Sequence, residues 1–127
     1  MINVLFNQPN YFAAKKMLEA TVLRHEAIAS NLANLETPNY KRLDVSPTFQ
    51  SELSRSLAAK DTAQMAGVQP QIAEDAAAVA VNRYGNTVQL ENELAQLNKN
   101  FLAHALETQL ITGNLLRLRL AISGRPS

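Results

Sequence analysis

Between Val88 and Ile122, residues Leu90, Leu94, Leu97, Phe101, His104, Thr108, Ile111, Leu115, Leu118 and Ile122 follow one another at spacings of four and three. That repeat keeps one seam of a helix turned toward a partner helix, so the C-terminal third predicts a long heptad helix over about 87–122. The ends agree. Asn86 stands at a capping position with Gln89 three residues on, Glu91 and Glu93 lie at the positive end of the helix dipole, and Arg117 and Arg119 lie at the negative end. Gly124 and Pro126 follow as stop signals. Two adjacent seam positions, His104 and Thr108, are polar in an otherwise apolar row.

A second heptad row lies near the other end. Ala14, Leu18, Thr21, His25, Ile28, Leu32 and Leu35 again step by four and three, predicting a helix over about 10–36. Asn7 or Asn10 can cap it, Pro9 is tolerated in its first turn, and Pro38 disfavours helical geometry at Thr37. Laid antiparallel, the rows match polar with polar when Thr21 meets Thr108 and His25 meets His104, with Ile28 on Phe101, Leu32 on Leu97 and Leu18 on Ile111. A slip by a heptad would set His and Thr against Leu or Ile, leaving polar groups unpaired. Arg24 then faces Glu107, a surface pair of about 0.2–1 kcal/mol. The fold expected is all-α: an antiparallel coiled coil of long N- and C-terminal helices joined by a long, partly disordered or extended connection.

That connection, about 37–86, differs in character. Thr37 to Pro47 reads as an extended loop, and Phe49, Leu53 and Leu57 suggest a short amphipathic helix. Lys60 to Pro70 is polar and unpatterned, Ile72 to Val81 is Ala-rich, and Asn82, Tyr84, Gly85 and Asn86 mark a turn. With 46% hydrophobic residues but no Trp and few aromatics, the apolar content suits helix-on-helix packing more than a sheet core. A formal charge of +1 favours neither nucleic acid nor a membrane surface, and no apolar run approaches the roughly 20 residues that span a bilayer. There is no cysteine, hence no disulfide or thiolate metal site. No basic and apolar leader opens the sequence, so export, if it occurs, is expected without a cleaved Sec-type signal.

Seven layers of two helices make a marginal core against the entropy of ordering them. The last helix also carries Leu102, Leu106 and Leu110 in a row off the seam, continued by Leu116 and Leu120. A helix apolar on two faces expects a second partner, and other chains are the expected cover.

The first helix ends in Ala29-Ser30-Asn31-Leu32-Ala33-Asn34-Leu35-Glu36-Thr37-Pro38-Asn39-Tyr40-Lys41. This closely resembles the signature of the flagellar basal-body rod, hook and related axial proteins, in which an Asn-rich helix end leads into Thr-Pro, a Gly or similar residue, Tyr and Lys. Asn39 stands where Gly is usual, and Asn also tolerates left-handed geometry. Tyr84-Gly85-Asn86-Thr87-Val88, then Leu90-Glu91, Glu93-Leu94, Asn98 and Asn100, are similar to the opening of the family's C-terminal helix. The short length, with Asp44, Phe49 and Leu53 after the Tyr-Lys pair, resembles the proximal rod members most. The resemblance implies one axial rod domain over 1–127, exported by the flagellar type III apparatus into the periplasmic rod and transmitting torque by coiled-coil self-assembly. It implies as partners other copies, other rod proteins, the adaptor at the membrane ring and the export apparatus. Asn31, Asn34, Thr37, Pro38, Tyr40, Lys41 and Phe49 become candidate subunit-interaction residues.

Rival readings are weaker. His25 and His104 on one layer could hold a metal, but no third ligand is evident, and no cofactor is expected. Asn31 and Asn34 are most simply caps for the last carbonyls of the first helix. Tyr40 could dock on a neighbour or pack on its own helix. Arg117, Arg119 and Arg125 lack the interleaved aromatics of a nucleic-acid surface. No Ser-His-Asp set or Gly-rich phosphate loop occurs, so an enzyme is not expected. The alternative kept open is a soluble coiled-coil adaptor or export chaperone.

Overall fold

The computed structural model describes residues 9–123. In order these form α1 (Pro9–Ala33), β1 (Leu43–Val45), α2 (Pro47–Ala58), α3 (Thr62–Gly67), β2 (Ile72–Glu74) and α4 (Leu90–Ser123). The expected signals at Asn7, Gly124 and Pro126, and the side chain of Leu118, lie outside the described residues. None of the described helices is long and apolar enough to cross a membrane.

The chain is mostly helical, as expected, but the core is not the seam between the two long helices. It lies between α1 and the connection: Ala13 and Ala20 of α1 meet Val45, Phe49, Leu53, Met65 and Val68, with Phe12, Leu23 and Leu57 at its edge. The alanines on that face of α1 let the connecting elements approach closely. In α2, Pro47 occupies the first turn, where its missing N–H costs nothing, and the spacing of four from Phe49 to Leu57 aims one face at α1. Lys60 ends this element in left-handed geometry (φ 54°), its N–H donating to Leu57 O.

Two expectations for the connection are corrected. The unpatterned stretch Lys60 to Pro70 holds α3, capped by Asp61 accepting from Gln64 N at 3.0 Å and anchored by the fully buried Met65. The chain is also not purely α. β1 and β2 pair antiparallel with Leu43 opposite Glu74, Asp44 opposite Ala73 and Val45 opposite Ile72. Three-residue strands are too short to carry an alternating pattern, so this pairing left no periodic trace.

The register between the long helices also departs from expectation. Asn100 Nδ2 donates to Thr21 O at 2.8 Å, His25 stacks edge-on against Phe101 at 5.7 Å, and Asn31 Nδ2 donates to Glu93 at 3.1 Å. Ascending positions on α1 thus meet descending ones on α4, but roughly one to two helical turns from the layers that paired Thr21 with Thr108 and His25 with His104. The reason is local. Thr21 Oγ1 donates to Leu18 O and Thr108 Oγ1 to His104 O, so each hydroxyl is satisfied within its own helix and needs no partner across a seam.

The face that α4 turns inward is equally unexpected. Glu93, Asn100 and Glu107 are buried, with Gln96, Leu97, Ala103 and Ile111 half-buried. Of the expected seam on α4, Leu94, Phe101, His104 and Thr108 are exposed, Phe101 at 58%. On α1, Thr21 and Ile28 are buried, Leu18 and Leu32 half-buried and His25 exposed. The off-seam leucines are also open: Leu102 at 74%, Leu106 at 58% and Leu110 at 49%.

Candidate assembly site

The two stretches that carry the family signature converge at one end of the molecule. Where α1 gives out, backbone turns bond Asn34 N to Asn31 O and Thr37 N to Asn34 O. Asn34 Nδ2 reaches back to Ser30 O at 2.8 Å while its Oδ1 accepts from Thr37 Oγ1. Asn34 is therefore the cap the sequence suggested. Asn31 is not. Its side-chain amide donates to Leu43 O and accepts from Leu43 N, at 2.9 and 2.8 Å, as a neighbouring strand would. Its second amide proton goes to Glu93, and its oxygen also accepts from Tyr40 Oη, so a fully buried Asn has all its capacity filled.

The second signature closes on the first. Asn39 (φ 60°) and Gly85 (φ 77°) both adopt left-handed backbone, and Asn39 N donates to Tyr84 O at 2.7 Å. Asn is among the few non-glycine residues that accept this geometry at modest cost. A Cβ on Gly85 would lie 2.6 Å from Asn39 Oδ1, so the two turns touch with no space for a side chain. Thr87 N then donates to Tyr40 O and Arg42 N to Thr87 Oγ1.

Asn86 does not cap the last helix, which begins four residues later. Its amide donates across to Asn34 O, Leu35 O and Thr37 O at 2.8, 3.1 and 2.8 Å, and its oxygen accepts from Val88 N at 2.7 Å. It is a C-terminal cap for α1 supplied from 50 residues downstream, filling the carbonyls that a helix end leaves open.

Charge completes the latch. Glu93, 0% exposed, accepts from Arg42 Nε at 2.7 Å through one oxygen and from Asn31 through the other. Arg42 also pairs with Asp75 just past β2 and with Asp44 at 3.5 Å, and Asp44 in turn accepts from Arg24 Nε of α1 at 2.9 Å. Burial alone would lower the Arg42 value, but its hydrogen bonds to Glu93 and Asp75 and the charges of Glu93 and Asp44 outweigh it, holding the guanidinium above the ordinary arginine range. Arg24 is thus committed to Asp44, not to Glu107 as expected; Glu107 Oε2 is buried without a hydrogen-bond partner.

The remaining signature residues sit around this latch. Tyr40 packs back on its own helix, its hydroxyl also bonded to Ser30 Oγ at 2.9 Å. Lys41 and Pro38 are exposed, and Phe49 is in the core. His25 and His104 line one shallow groove with Phe101. Among the described residues no three His, Cys, Asp or Glu side chains are placed to share a metal ion. Sequence reasoning named Asn86 and Glu93 as helix-start signals and as part of the second family stretch, with Asn86 also in a turn, but not as latch residues, and it named Arg42 and Asp75 not at all; their partners are too distant in sequence for any local pattern to betray.

Fold and site together define a helical scaffold, two long helices locked near one end by a buried polar latch. No family model matches the chain. It is 31% identical to the flagellar basal body rod protein FlgB of Aquifex aeolicus (strain VF5) over 130 residues, covering 95% of this chain and 97% of that protein. It is 28% identical to FlgB of Borrelia hermsii over 115 residues, covering 76% of this chain and 83% of that one. The chain belongs to the FlgB family of flagellar basal-body rod proteins.

Proposed function

We propose that this chain is a structural subunit of the proximal flagellar rod, one axial domain that becomes complete only when neighbours cover α4. The observation that carries this reading is the outer face of that helix: Leu94, Phe101, Leu102, Leu106, Leu115 and Ile122 are exposed together on one element, far more than scattered surface leucines would give. In the assembled rod, the exposed members of the heptad row, Leu94, Phe101, Leu115 and Ile122, form coiled-coil packing with helices of neighbouring copies and other rod proteins. The latch holds α1 and α4 at fixed register so that torque passes through the pair as a unit. Lys41 and Pro38, exposed beside the latch, are positioned to touch a neighbour or the adaptor at the membrane ring. The chain would reach this place through the flagellar export apparatus.

A cysteine at Leu106, in a chain with no other, tests this. Leu106→Cys expressed in intact cells with a panel of single-cysteine rod subunits should give disulfide adducts that vanish when the export apparatus is disabled. A thiol that stays free and cytosolic would refute the rod reading and favour an adaptor or export chaperone that buries the same face on one client.

A further inference from the structure

Beneath α1, where α2 begins, a cavity of about 160 Å³ is lined mainly by apolar side chains such as Met17, Phe49, Leu53 and Leu57, with Arg24, Gln50 and Ser54 also in its wall, and is reached by Glu107 of α4. Glu107 is only 6% exposed, and its Oε2 has no hydrogen-bond partner. Burial pushes its carboxyl above the ordinary value. Arg24, a cation in the wall of the same cavity, is engaged by Asp44. A carboxylate with one buried oxygen unpartnered in largely apolar walls calls for a cation on a long aliphatic stem, whose methylenes fill the cavity while its head meets the acid.

The same chain displays such a group. Arg117 and Arg119 near the end of α4 are exposed, and neither forms an ion pair among the described residues. Residues three and four apart share a helix face, so Arg119 lies among Leu115, Leu116 and Ile122, all exposed. Arg117 has Gly113 in the corresponding place. Arg119 is therefore a cation ringed by open apolar surface, the complement of an anion in largely apolar walls. Within one chain the two cannot meet: twelve residues of helix separate them by about 18 Å.

We propose that Arg119 of one copy enters the Glu107 cavity of the next, so that the open end of α4 plugs into the core side of its neighbour. This rests on the rod reading and deepens it by naming a contact. Because the two patches differ, the contact is heterologous and can repeat from copy to copy, which a closed isologous pair cannot.

The test uses cells making two tagged copies of the full chain, one Glu107→Cys and one Arg119→Cys, from which basal bodies are isolated and oxidised. A mixed disulfide dimer is expected, well above that from Lys60→Cys paired with Arg119→Cys. In a second experiment Arg119→Glu, an exposed change that should leave the purified chain folded by circular dichroism, reduces rod incorporation at least tenfold, and adding Glu107→Arg restores it. Parent chain present in basal bodies with no mixed dimer above the control, and no restoration, would overturn this contact while leaving the rod reading intact. Absence of the parent from basal bodies would overturn both.

Discussion

Replacing Asn86 by Ala removes one amide that serves four backbone groups. Its two protons face three carbonyls, Asn34 O, Leu35 O and Thr37 O, so one proton is shared and about two full hydrogen bonds are donated. Each contributes about 0.5–1.5 kcal/mol net, and these carbonyls belong to half-buried or exposed residues that water can partly serve. The Val88 N–H is different: Val88 is 2% exposed, so losing its acceptor at 2.7 Å adds an unsatisfied donor at about 1–3 kcal/mol. The expected loss is about 3 kcal/mol, a large part of the 5–15 kcal/mol typical of a domain. Urea titration of the purified chain by circular dichroism should show the midpoint falling by about 1–2 M with an unchanged slope. Asn86→Asp is the sharper control, because it keeps an acceptor for Val88 but aims oxygen at three carbonyls, so it should be no better than Ala. An Asn86→Ala chain within about 0.5 kcal/mol of the parent, or an Asn86→Asp chain as stable as the parent, would refute the capping role.

Three further perturbations address the rest of the latch and the cavity. Arg42→Ala strands the fully buried Glu93 and should cost about 3–5 kcal/mol in thermal or urea unfolding, whereas Asp75→Asn, at a site more than a quarter exposed, should cost well under half as much. Gly85→Ala meets both an adverse φ and the Asn39 side chain and should destabilise by more than about 1 kcal/mol; Asn39→Gly should be neutral or slightly stabilising, as melting temperatures would show. The raised Glu107 carboxyl binds its proton more tightly folded than unfolded, so its contribution is present below the ordinary 4.5 and is lost as pH rises through the folded value. Glu107→Gln should therefore gain on the parent as pH is raised from about 4 to 8 in paired denaturation curves, and parallel curves would contradict this.

The long helices were legible because period and end signals are local: α1 and α4 fall within a few residues of the 10–36 and 87–122 expectations. The short α2 was legible from three apolar residues four apart. Facing was not legible, for a physical reason. A heptad row says that a helix has an apolar seam, but not which molecule covers it, and the polar matching of Thr21 with Thr108 assumed hydroxyls in need of partners that their own helix turns supply. What turns α4 is Glu93, drawn in by Arg42 and Asn31, and Asn100, drawn to Thr21 O. None of these bonds leaves a mark in the apolar pattern. The motif around Asn31 to Lys41 signalled a family without revealing that Asn31 acts as a strand edge for Leu43.

That facing bears on the assembly proposed for the chain. An ordinary amphipathic helix buries its apolar stripe and leaves its polar one in water. α4 does the reverse from Glu93 to Glu107: two carboxylates and an amide go in, and phenylalanine and leucine stay out. The inward polar groups are tolerable only where each finds a partner, as Glu93 does, and Asn100 Oδ1 and Glu107 Oε2 do not. Its exposed leucines are each worth about 1.5–3 kcal/mol if fully covered, and ordering a neighbour against them costs about 4–15 kcal/mol, so one leucine pair cannot hold two subunits but a whole row can. The monomer is thus a state with interactions unmade on both faces of α4, apolar ones outward and a carboxylate inward. In the proposed assembly, contact with neighbours completes both, whereas contact with water completes neither.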